Sequence, residues 1–173
     1  MPRPTSVTLT ATGVSSWIPI NWRQTPLGVS LSVILGGHAT PNVTYTVQHT
    51  TSDLSKETAI TVSRVGTTAT VTWPNHYAAT GDSLVLKQAG SPFDTTGSAI
   101  TVTDANTFTY TVANSGATSS SGLATMLNVL NHDVLASKTV SDDGNYAYPP
   151  TAIRLNATIT AGTATMNVVQ SST

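Results

Sequence analysis

Apolar and polar residues alternate with a period of two in run after run of this chain, a spacing that puts successive side chains on opposite faces of an extended strand. Ser6 to Thr12 carries Val7, Leu9 and Ala11 on one face, Gly28 to Leu35 carries Val29, Leu31 and Val33, and Asn42 to His49 carries Val43, Tyr45 and Val47. No longer window carries a capped apolar stripe of helical period, so helix is expected only as a turn or two near Asp53 to Glu57. Composition agrees for a separate reason. Of 173 residues, 33 are Thr and 19 are Ser, against one Glu, three Lys and four Arg. Thr is β-branched and suits a pleated strand, whereas helices draw on Glu, Lys and Arg. The expectation is an all-β protein of antiparallel strands.

Charged residues make up 9% of the chain and hydrophobic residues 39%, with a formal net charge of −1. Disorder needs low hydrophobicity with high net charge, so this chain is expected to fold. It offers no basic stripe for phosphates, and nucleic acid is not an expected partner. Without cysteine there is no disulfide framework and no thiolate metal site. No apolar run is long enough for a membrane span, and none follows Met1-Pro2-Arg3-Pro4-Thr5 as a signal peptide would require.

Glycine and proline divide the strands. Gly36-Gly37 with Pro41 supplies a turn after Gly28 to Leu35, and Val65-Gly66-Thr67 joins Ala59 to Arg64 with Thr68 to Trp73 as a hairpin. Asp82 to Gln88 follows, and Ser98 to Thr103 pairs with Thr107 to Ala113 across Asp104-Ala105-Asn106. Asn114 to Gly122 (NSGATSSSG) reads as a linker. Thr125 to Asn131 and Val134 to Val140 are short strands, Asp142-Asp143-Gly144 is a turn, and Ala152 to Ile159 with Thr163 to Val169 is the clearest hairpin. If the middle is cut out, residues 1–57 and 125–173 join into a strand set of β-sandwich length. The expected organisation is an antiparallel β-sandwich with an inserted small β-domain at 58–124, whose exit linker is 114–122.

The outer segments SVTLTATGVSSWIPINW, VTYTVQHTTSDL and DDGNYAYPPTAIRLNATITAGTATMNVVQ resemble a group of small virion proteins of tailed bacteriophages. Tyr-Ala-Tyr-Pro followed by Ala-Ile-Arg-Leu-Asn and a hairpin is the most specific part. The resemblance implies a β-sandwich structural component, and more narrowly a capsid decoration (cement) protein. Such a protein is made in the host cytoplasm, sits on the outer capsid surface of the virion, and stabilises the head by bridging capsomers. Its partner is the major capsid protein, and a homo-oligomer, a trimer at symmetry points of the shell, fits that role. The insert, TTATVTWPNHYAATGDSLVLKQAGSPFDTTGSAITVTDANTFTYTVANSGATSSSG, resembles a second phage-associated module found in head, tail and fibre proteins, marked by His76, Gly81-Asp82 and the Asp104 to Phe108 turn. In that module the histidine is commonly followed by glycine, whereas here Tyr77 follows. The rival is a tail or fibre component whose insert, with Trp73 and His76 near a loop, recognises a cell-surface glycan.

Chemistry-bearing residues are sparse. The histidines are His38, His49, His76 and His132, and Glu57 is the only Glu. His49 with Asp53, or His132 with Asp133, could ligate a metal, but neighbours on a strand point to opposite faces, so no metal or other cofactor is expected. There is no Gly-x-Ser-x-Gly elbow, and Asp142-Asp143, the only close carboxylate pair, reads as a turn, so no catalytic residue is assigned. Trp17 and Trp22 read as closing one end of the core, with sugar stacking as the alternative. Partner contact falls to two groups. Pro2, Arg3 and Pro4 resist a regular ladder and would form a stiff arm onto a neighbour. Trp22 and Arg23, with Tyr146 and Tyr148 on one side of the segment before Pro149-Pro150 and Arg154 on the next strand, would form a contact surface.

Overall fold

The computed structural model describes residues 3–21, 28–148 and 150–170, and every regular element among them is a strand. The first are β1 (Arg3–Leu9), β2 (Gly13–Val14), β3 (Ile18–Pro19), β4 (Val29–Gly36) and β5 (Asn42–Thr50). The next are β6 (Thr58–Val65), β7 (Thr68–Thr72), β8 (Ser83–Lys87), β9 (Thr95–Ala99), β10 (Thr101–Val102), β11 (Thr107–Thr111) and β12 (Ser119–Leu127). The last are β13 (Leu130–Asn131), β14 (Asp142–Asn145), β15 (Ala152–Ala161) and β16 (Thr163–Gln170). The chain divides into two compact units, 1–51 with 130–173, and 52–129. No described helix is long and apolar enough to cross a membrane.

The discontinuous unit is an antiparallel sandwich. One sheet runs β1-β16-β4-β14 and the other β13-β5-β15-β2, with β3 also pairing β15. Their inner faces carry Val29, Leu31, Val33 and Met166 from the first sheet and Val43, Tyr45, Val47 and Leu155 from the second, as the alternation predicts. Tyr45 belongs to this core and donates its hydroxyl to the Val140 carbonyl at 3.0 Å. Burial, with Asp142 and Asp143 nearby, pushes that phenol up to about 12.

Pairing departs from the sequence expectation. β15 and β16 are not a hairpin: β15 pairs β5 and β16 pairs β4, so both short turns, at 37–41 and at Gly162, carry the chain from one sheet to the other. Alternation reports which residues point inward, and it is the same whether the next strand is a ladder neighbour or lies across the core. Gly162 makes the nesting of those turns possible. Its φ is +98°, and a Cβ there would lie 2.7 Å from the Gly36 carbonyl. Asp142 to Gly144 is likewise not a turn but most of β14, held in register against Val33 to Leu31. Val134 to Val140 forms no strand and contributes one bridge, Tyr45 with Lys138. Pro4 lies within β1 in register with Val169 rather than in a free arm, which its missing N–H permits because β1 is an edge strand.

Unit 52–129 is one seven-stranded antiparallel sheet, β10-β11-β7-β6-β12-β8-β9. Its edge strands β9 and β10 are separated by the single residue Ile100, so the sheet rolls until its edges nearly meet, as in a barrel. Inside lie Val62, Val71, Leu84, Leu86, Phe93 and Phe108. The β6-β7 hairpin closes through Gly66-Thr67, with Val65 opposite Thr68. The predicted linker is half strand. Ser119 to Gly122 opens β12 and pairs with Ser63 to Ile60 of β6. Small residues there reflect close approach, since a Cβ on Gly122 would fall 2.5 Å from the Lys87 carbonyl. At Asp53 the chain makes a side-chain-capped turn and not a helix, with the carboxylate accepting from Ser55 N and Oγ at 2.8 and 2.7 Å.

Candidate functional site

The structure separates the residues expected at a partner contact. Pro2, Trp22, Arg23 and the side chain of Arg3 lie outside the described residues. Arg154 is buried, not presented: its Nε donates to Gln48 Oε1 at 2.9 Å and its guanidinium carbon sits 4.5 Å from the centre of the Trp17 ring. Burial brings its pKa down to about 10, still well above neutrality. Alternation places an arginine there without revealing that a tryptophan and a glutamine enclose it.

Tyr146 and Tyr148 do not present one surface either. Tyr146 is buried between the rings of His49 at 5.2 Å and His132 at 4.8 Å, both edgewise, while Tyr148 is exposed. Tyr148 Oη lies 3.1 Å from His49 Nε2. His132 Nδ1 accepts the N–H groups of Val134 and Leu135, so its Nε2 carries the proton and donates to the Asn145 carbonyl at 3.1 Å. Burial first, then the neighbouring His132, lowers the pKa of His49. Both histidines thus organise the end of the sandwich. Among the described residues no three His, Asp or Glu side chains gather as a metal site would require. Asp142 is committed to an ion pair with Lys138 at 2.8 Å, which holds its carboxyl below the usual range.

The outward face of the β1-β16-β4-β14 sheet is the broad surface of this unit. Register places Pro4, Val169, Ser30 and Asn145 in one cross-strand row, Ser6, Asn167, Ser32 and Asp143 in the next, and Thr8, Thr165 and Ile34 in a third. Ser6 Oγ donates to Asn167 Oδ1 at 2.7 Å, Asn167 Nδ2 to Ser32 Oγ at 3.4 Å, and the Thr8 and Thr165 hydroxyls bond at 2.9 Å. Asp143 is the only charged residue in these rows. Covering them desolvates a single carboxylate, where an ordinary charged surface would bury several ions.

Unit 52–129 holds a cleft of about 450 Å³ lined by Asp53, Lys56, Trp73, Tyr77, Asp82 and Asn128, among others. Sequence reasoning placed Trp73 and His76 near a loop and marked Tyr77 and Asp82 without joining them to a site, and it did not bring Asp53, Lys56 or Asn128 to them; only the fold assembles the set. Its wall is built from the 74–78 loop. His76 accepts the Ala78 N–H at Nδ1, so its Nε2 donates to the Asp104 carbonyl at 2.9 Å, while its ring packs edgewise on Phe108. Asp104 in turn binds Asn106 N, Thr107 N and the Thr107 hydroxyl, which with that hydroxyl foremost keep its carboxyl ionised below the usual range. Asn106 Oδ1 accepts the Asn75 N–H at 3.1 Å. His76 is therefore a brace for the loop. Tyr77 takes φ +50° and is 93% exposed. The departure from glycine noted in the sequence leaves the left-handed backbone in place, at a cost of about 1–3 kcal/mol.

No family model, no curated protein and no solved structure matches this chain.

Proposed function

We propose that this chain is a non-enzymatic structural component of a tailed-phage virion, a decoration protein that binds the outer surface of the assembled capsid. The observation that carries the reading, beside the resemblance of the outer segments, is the outward face of the β1-β16-β4-β14 sheet, with hydroxyl, amide and apolar groups and the single charge of Asp143. A copy seated through that face bridges neighbouring capsomers of the major capsid protein, so expansion of the shell must break contacts on both sides. Stabilisation follows from binding the assembled state better than free subunits. Many copies per shell, as homo-oligomers such as trimers, suit a low-charge contact used repeatedly.

The test mixes purified protein with capsids stripped of small surface proteins and counts bound copies per shell by sedimentation. Saturation at a fixed multiple of the shell's symmetry number is expected. Asn167→Lys, which sets a charge in the middle row, is expected to weaken binding by about tenfold or more while the fold remains. Failure of the wild-type protein to bind any shell overturns the reading.

A further inference from the structure

We infer that the cleft of unit 52–129 is a binding site for a neutral saccharide. This stands apart from whatever the outward sheet face of the sandwich binds.

Three observations carry it. The cleft combines an aromatic wall with convergent polar groups, the composition that holds a sugar ring by its C–H face and its hydroxyls. Trp73 is half-buried, tilted against Phe108 with ring centres 6.5 Å apart, so its indole is fixed before any ligand arrives. Tyr77, almost wholly exposed, is held at the rim by a backbone conformation that favours glycine. Core packing of unit 52–129 does not explain Tyr77, which is 93% exposed and is not among the residues packed against that core. A braced loop that keeps a bulky aromatic in the left-handed region points to use of the ring.

The polar groups set the ligand class. Asp82 Oδ2 accepts the Ala79 N–H at 2.9 Å, which orients the carboxylate and leaves Oδ1 to accept from a ligand hydroxyl. Lys56 lines the same cleft and forms no ion pair among the described residues, while the Asn128 amide oxygen already accepts from Ser52 Oγ at 2.8 Å. The lining includes two carboxylates, Asp53 and Asp82, and one ammonium, Lys56, so it is formally anionic and disfavours uronic and sialic acids. Neutral hexose and N-acetylhexosamine rings meet no such penalty.

The test uses the full chain and immobilised neutral oligosaccharides ending in glucose, galactose, mannose or N-acetylglucosamine, beside sialylated and uronate-bearing ones. Binding to at least one neutral glycan is expected. Tyr77→Gly deletes the ring and relieves the backbone, so the protein stays folded, yet affinity is expected to fall about tenfold or more. Asp82→Asn keeps an acceptor for Ala79 and is expected to weaken binding as well. Two results overturn the inference: no neutral glycan bound by the wild-type chain, or equal binding by wild type, Tyr77→Gly and Asp82→Asn. Preference for the acidic glycans overturns the assignment of class.

Discussion

The two units solve the same problem with opposite wiring. In 52–129, sequence neighbours pair as ladder neighbours: β6 with β7, β8 with β9 and β10 with β11. In the sandwich, β4 and β5 follow each other but lie in different sheets, as do β15 and β16, and the pairs are β4 with β16 and β5 with β15. A hairpin is local and is announced by its turn. These sandwich strands choose partners more than a hundred residues away, and the choice rests on burying both inner faces at once. The consequence reaches function: the sandwich gains a continuous outward face from strands distant in sequence, while the rolled sheet gains a cleft where its entry, its 73–82 segment and its exit come together.

If the units are separate cores, each should be breakable alone. Phe108→Ala removes a fully buried ring that supports Trp73 and His76, and it is expected to cost about 3–5 kcal/mol. Hydrogen exchange should show amides of Val62 and Val71 losing protection while those of Val33 and Val47 keep it. Leu155→Ala should do the reverse, at about 2–5 kcal/mol. Loss of protection in both units from either substitution would merge them into one cooperative body.

Gly122→Ala sharpens the comparison at the point where sequence reading went furthest astray. A serine-rich run looks like a linker because its residues are small and polar, and in a linker this change would be silent. In β12 it drives a methyl against the Lys87 carbonyl and Ala89, so a loss of about 1–3 kcal/mol confined to unit 52–129 is expected in a denaturant melt.

What was legible follows the same division. Inward residues such as Val29, Leu31, Val43 and Val47 could be read directly, because burial on one face enforces the period of two. The all-β class and the 65–68 and 103–107 turns were equally open to view. Partner choice was not, nor was the fate of Arg154, since a cation can be enclosed only by residues that pairing brings beside it, here Gln48 and Trp17. In the cleft, Trp73 and the position of Tyr77 could be picked out, whereas Asp53, Asp82 and Asn128 meet only after the sheet has rolled.

Acid should also act on the sandwich through His49. Its folded-state pKa lies below the ordinary 6.5, so below that pH the unfolded chain binds the proton more readily. Stability is therefore full above about pH 6.5 and is lost as pH falls towards the folded value, by at most about 1.4 kcal/mol per pH unit for one site. Urea melts from pH 7.5 to 5 should show that slope in wild type, and His49→Gln should flatten it.

The smallest effect expected is a gain. Tyr77 occupies φ +50° with its ring in solvent, so Tyr77→Gly loses almost no packing and removes a left-handed penalty. The relief is set against the extra freedom glycine gives the unfolded chain, which leaves a net stabilisation of about 1 kcal/mol. Thermal melts followed by exchange at Val71 would measure it. Selection for stability alone would favour glycine at this position, so a chain that gains stability and loses glycan affinity on the same substitution would tie the strain to the ring's use. A chain that loses stability instead would show that Tyr77 packs, and the cleft would then be merely the space beside a structural loop.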